Sequence, residues 1–257
     1  MRHSLRVLVV LAMLVVGAAP GLASNTWNGY HWADGAADPH DGGITLTLVN
    51  DLSNYQDQYS EVFQDWDGAP GPLTLNSGPS GARPAACDNV ATDAAGDAIQ
   101  DEIHVCNSSY GQNGWLGLAR IWLASDGHID AGVALMNDSY FQVQGSVYDN
   151  PIAQRHVLCQ EIGHTFGLDH QKSPKKQSCM NDQWGLTSIS FQSPNQHDFD
   201  TLNEIYGVAS GDTGGDAKSC NPNRPNCPTN GANVHIAPRP GGGWIVTFTI
   251  PAWQRVR

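Results

Sequence analysis

The twelve residues from Cys159 to His170 restrict this chain more than any other stretch. They read Cys-Gln-Glu-Ile-Gly-His-Thr-Phe-Gly-Leu-Asp-His. Upstream, Asn150 and Pro151 are a helix start: asparagine accepts a bond from a free backbone amide, and proline at the first helical position sacrifices no donor. Residues four apart on a helix project from one face about 6 Å apart, so positions 160 and 164 can grip one ion from the same side. Gly167 is the expected stop, because glycine accepts the left-handed conformation there. The backbone then turns sharply and brings His170 in from another direction. Glu161 points toward the same cleft, where a carboxylate can accept a proton.

The spacing Glu161-x-x-His164-x-x-Gly167-x-x-His170 matches the signature His-Glu-x-x-His-x-x-Gly-x-x-His except at its first position, which holds Gln160. The region resembles the metzincin clan of zinc endopeptidases, in particular its matrixin-like and small secreted bacterial members. The likeness extends to Met180 in Ser178-Cys-Met, which matches the clan's Met-turn, and to a helix opening at His197-Asp198. It covers about residues 44–206 and is specific only over 151–180. It implies an α+β fold: a metzincin-like zincin domain with a mixed twisted sheet, an active-site helix, a Met-turn and a C-terminal helix. It also implies one catalytic Zn2+ held by His164, His170 and Gln160, with Glu161 as general base. Met180 should pack beneath the histidines without binding the ion. Such a three-ligand site leaves a position open for water, whose pKa zinc lowers from about 16 to roughly 7. By the same resemblance, an edge strand near 131–136 should hold a peptide extended by backbone pairing.

Gln160 leaves three readings open. Its amide oxygen can ligate zinc, as a neutral, hard donor weaker than imidazole. Alternatively, His164 and His170 hold the ion alone, with water completing the shell. In the third reading the site is degenerate and the chain is a catalytically inactive secreted binding protein. His156 cannot substitute, because two helical turns, about 12 Å, separate it from His164. Retention of Glu161, His164, Gly167, His170 and Met180 together favours an active enzyme. The expected function is therefore a secreted zinc-dependent endopeptidase acting on a peptide or protein substrate.

The amino terminus reads as an address. Arg2 and Arg6 flank the start of an apolar run over 7–19, followed by the small-residue site Gly21-Leu22-Ala23. Thirteen residues fall short of the roughly 20 that a membrane span needs. A signal peptide over 1–23 is expected, with a secreted, extracellular protein beginning near Ser24. The remaining length suits a catalytic domain over 24–207 and a tail over 208–257. Without Arg2 and Arg6, 11 basic residues face 25 acidic ones, a net charge near −14. Such a polyanion is repelled by phosphates, so no nucleic-acid partner is expected. No membrane partner is expected either, and the protein should be a monomer.

Six cysteines in an exported chain favour disulfides, and the absence of any Cys-x-x-Cys pair argues against zinc-binding cysteines. Fifteen pairings are open. Neighbour logic gives Cys87–Cys106, Cys159–Cys179 and Cys220–Cys227, the second tying the motif helix to the segment around Met180. Asp34, Asp38 and Asp41 could bind Ca2+ but lack the spaced loop pattern that would support it. His31, His40, His104, His128 and His235 are isolated. Trp184 could line a pocket for a substrate side chain.

Along the chain, alternation marks a strand at 44–49, and further strands are expected at 102–106, 116–123 and 129–136, the last two split by the turn Ser125-Asp-Gly-His128. An apolar stripe from Leu52 to Trp66 marks a helix over 50–66, and the Gly/Pro-rich stretch 68–84 reads as a loop. A final helix runs from Asn195 or His197 to Tyr206. The tail over 208–230 reads as a linker, followed by a strand over 244–250 that can pair with 234–237. That tail could itself be a small docking module.

Overall fold

A computed structural model describes residues 25–33, 43–68, 71–81, 83–88, 99–171, 177–181, 188–207, 233–240 and 242–252. Cys220, Cys227, His40, Trp184 and the three aspartates considered for calcium lie outside these residues.

The protein is an α+β structure built on a seven-stranded mixed sheet. In chain order the strands are β1 (Ile44–Asp51), β2 (Leu73–Gly78), β3 (Glu102–Ser108), β4 (Trp115–Leu123), β5 (Ile129–Asn137), β6 (Val234–Pro238) and β7 (Trp244–Pro251). Their spatial order is β2-β1-β3-β5-β4-β7-β6. The β2-β1-β3-β5 portion is parallel, and β4, β7 and β6 add antiparallel pairs. The helices are α1 (Gln56–Asp67), α2 (Ala85–Asp88), α3 (Asp138–Phe141), α4 (Pro151–Thr165) and α5 (Gln196–Tyr206). Among the described residues, no helix is long and apolar enough to cross a membrane.

Every residue of β4 is buried, because both faces of the sheet are covered. Leu116, Ala119, Ile121 and Leu123 face the main core with α4, whereas Trp115, Leu118 and Trp122 join a second cluster on the other face. β7 divides in the same way: Val246, Phe248 and Ile250 lie in the main core, and Ile245 in the second cluster.

Asn150 caps α4 by accepting from the Ala153 amide at 2.9 Å, and Pro151 follows it. The carbonyls left without intrahelical partners at the other end of α4 also find donors, which an interior helix end requires. Trp32 Nε1 donates to the Thr165 carbonyl at 2.8 Å, and the Tyr206 hydroxyl to that of Phe166 at 2.8 Å. Two disulfides join Cys87 to Cys106 and Cys159 to Cys179. The loops they close, spanning 19 and 20 residues, contribute roughly 3 kcal/mol each in the chain-entropy picture.

Three expectations need correction. α1 starts at Gln56, not near Asn50, because the Asn50 side chain accepts from the Leu52 amide and Tyr55 adopts φ 63°. The segment 68–84 is not all loop: its residues 73–78 form β2, which pairs with β1 along six positions. The stretch 131–136 is not at an edge. It lies in β5, paired to β3 on one side and β4 on the other, so no peptide can add there.

Candidate functional site

α4 is buried around nearly its whole circumference, packed between α1 and the β4–β5 part of the sheet. That burial makes its polar residues conspicuous. Gln160 and Glu161 have no exposed surface, and His164 has 1 %. A polar group taken out of water costs free energy unless it finds a partner, and a carboxylate costs far more. Yet both amide atoms of Gln160, both carboxylate oxygens of Glu161 and Nε2 of His164 lack a hydrogen-bond partner. Burial raises the Glu161 pKa well above the usual carboxylate range. It holds His164 well below the usual imidazole range, with His170 adding to the effect.

His164 is nevertheless oriented. Its Nδ1 donates to the Leu168 carbonyl at 2.8 Å, which leaves the lone pair on Nε2 to face the interior. Its ring centroid lies 4.6 Å from that of His170. The turn between them depends on Gly167, whose φ is +92° and whose missing Cβ leaves room for the Tyr30 carbonyl. The Trp27 amide donates to the Gly167 carbonyl at 2.8 Å, and the Asp169 amide to that of Asn25 at 2.6 Å. The amino-terminal segment thus clamps the turn that delivers His170.

Beneath the helix, Met180 is fully buried against Gly163 and Trp66. The Cys159–Cys179 disulfide fixes its neighbour to α4. The Met180 amide donates to Ser178 Oγ at 3.0 Å, and Ser178 Oγ donates to Asp198. Asp198 also accepts from the Asn195 amide at 2.8 Å as half of a capping box. It is a strut between α5 and the Met180 segment.

His156 turns away from this cluster, with Nδ1 on the Phe191 carbonyl at 2.7 Å, and is no ligand. His104 is likewise occupied, between Asp51 at 2.5 Å and Glu102 at 3.0 Å. Another group of ligand-type atoms comprises Asp51, Cys87 and Cys106. Its two sulfurs are joined to each other, so it offers no thiolate to a cation.

Three neighbours of the site carry no local sequence signal. Gly117 of β4 lies against Glu161, and a Cβ there would overlap Glu161 Oε1. Trp27 meets the edge of His164, with centroids 5.9 Å apart. Phe248 of β7 stacks on His164 at 4.8 Å, its plane tilted by 11°. All three reach the site only through the sheet and the amino-terminal clamp.

The donor set suits a divalent cation. The unpartnered His164 Nε2, Gln160 amide oxygen and Glu161 carboxylate, with the His170 ring 4.6 Å from that of His164, are donor types that a zinc-type ion would satisfy. Neither a scan against protein-family models nor a search of curated proteins gives a match to this chain.

Proposed function

We propose that this protein is a secreted zinc-dependent endopeptidase of metzincin type. The observation that carries the reading is the buried row Gln160, Glu161 and His164, in which both amide atoms, both carboxylate oxygens and Nε2 lack partners in the protein. Chance burial of such a row would cost several kcal/mol with nothing to offset it. The two disulfides suit an oxidising, extracellular compartment.

His164, His170 and Gln160 would hold the ion, His164 through Nε2 and Gln160 through its amide oxygen. A bound zinc ion supplies a Lewis acid that acidifies water and polarises a scissile carbonyl. Glu161 takes a proton from the attacking water and passes it to the leaving amine. A cation held beside Glu161 would favour the ionised carboxylate that this step needs, against the burial that alone raises its pKa. The Leu168 carbonyl keeps His164 in the tautomer that presents Nε2. Met180 packs beneath α4 and keeps its floor rigid.

Gln160 also supports a second reading, a non-catalytic secreted binding protein on the same scaffold. Metal analysis and cleavage of casein separate the two. The proposal expects close to one zinc per mature chain and cleavage that chelator blocks and Glu161→Ala abolishes. A folded protein that stays metal-free in excess zinc would favour the binding module. Full cleavage by Glu161→Ala would remove Glu161 from the chemistry.

A further inference from the structure

β7 runs along the full length of β4, from Trp115 opposite Pro251 to Leu123 opposite Trp244. Within the sheet, the β6–β7 hairpin touches only that one strand, because β6 pairs with β7 alone. Removing it in thought leaves β2-β1-β3-β5-β4 intact, with α4 still packed on β4 and β5. The exposed edge would then be β4, the strand whose Gly117 lies against Glu161.

The face that β7 turns toward α4 is apolar at alternate positions: Val246, Phe248 and Ile250, all buried. Phe248 stacks on His164 and also lies 5.6 Å from His170, ring centre to ring centre. Ile250 sits opposite Gly117, beside the Glu161 carboxylate. An extended peptide with a side chain directed at each successive part of the site would lie in this same place. With β7 there, Glu161 and Gln160 have no exposed surface. A site that hydrolyses a polypeptide has to admit one.

We propose that the β6–β7 hairpin is an internal strap: β7 occupies the peptide rail along β4, with Phe248 standing where a substrate side chain would stand. The site is latent while the strap is seated. A substrate reaches Glu161 only after β7 leaves β4, and then pairs with β4 in its place as an extended strand. This rests on the endopeptidase reading above. The backbone pairing supplies affinity that is independent of sequence, and the Phe248 position selects a bulky apolar side chain.

The full-length chain tests this, with two variants of the β4–β7 pair. Leu118 and Thr249 face each other across the β4–β7 pair, so Leu118→Cys with Thr249→Cys can staple the strap. Ile245→Ala loosens it from the far face, away from His164, where Ile245 is buried in the second cluster. The strap reading expects the stapled protein to cleave casein at least about tenfold more slowly than either single-cysteine variant, and Ile245→Ala to cleave faster than wild type. Hydrogen exchange supplies a readout that needs no activity. In Ile245→Ala the amides of β4 and β7 should exchange about tenfold faster or more while those of β1 and β3 change less than about twofold. Equal cleavage by stapled and single variants overturns the strap, as does an exchange increase spread evenly over all strands. Selective loosening of β4 and β7 without any cleavage by the zinc-loaded protein leaves the strap standing and overturns the endopeptidase reading.

Discussion

Gly163 and Met180 touch with no space between them: a Cβ at position 163 would lie 2.5 Å from the Met180 sulfur and 2.9 Å from Trp66 Cζ2. Glycine in a helix interior costs about 1 kcal/mol relative to alanine, so its presence here needs a packing reason. Met180 supplies one, because the adjacent disulfide denies it the freedom to retreat. Gly163→Ala is therefore expected to destabilise the fold by about 1–2 kcal/mol despite its better helix propensity. Urea unfolding of the oxidised protein measures this, and a stabilised variant would show that Met180 can move aside.

Gly117 is the corresponding close approach on the sheet side. A methyl there would overlap the Glu161 carboxylate and reach within 2.5 Å of Val157 Cγ1. Displacing a catalytic group by about 1 Å can cost about a hundredfold in rate. Gly117→Ala should lose cleavage on that scale while zinc affinity, measured by competition with a chromogenic chelator, stays at the wild-type value. Loss of both together would mean that the substitution disturbs the ligands and not Glu161 alone.

Gln160→His replaces a hard amide oxygen with imidazole on the face already used by His164. Zinc affinity should rise by about tenfold or more, with far-ultraviolet circular dichroism unchanged. An unchanged affinity would show that the side chain at 160 does not reach the ion.

Tyr59 buries a hydroxyl without a partner. Burial pushes its pKa up from 10.0 to about 12, and Asp51 adds to the shift. Between those values the folded protein keeps a proton that the unfolded chain releases. The associated stability is present below pH 10 and is lost as pH rises toward 12. Tyr59→Phe should gain about 1 kcal/mol near neutral pH and lose less stability than wild type through that alkaline window. Thermal melts at both ends of the window decide it.

The parts of the fold written in local chemistry were legible in the sequence. Asn150 and Pro151 announce the start of α4, Gly167 its turn, and Asn195 with Asp198 the start of α5. The alternation in 44–49 marks β1, and the largely apolar run 116–123 marks β4, a strand covered on both faces. What escaped depends on distant partners. Residues 73–78 look like loop because Gly and Pro surround them, and only pairing with β1 makes them β2. Tyr55 adopts a left-handed conformation, with its hydroxyl on Asp138 at 2.6 Å, so the apolar stripe from Leu52 overstates the helix. The interior position of β5 follows from sheet order, which no local pattern encodes. Phe248 is a strand residue like any other until β7 lies down beside β4.

The clamp formed by Asn25 and Trp27 on Gly167 and Asp169 couples the first described segment to the turn that delivers His170. Residues 25–27 are a structural wall of the turn that carries His170, so truncation past Trp27 removes the contacts that align that imidazole. A recombinant product trimmed a few residues too far would keep its sheet and its cystines and yet carry a misaimed His170.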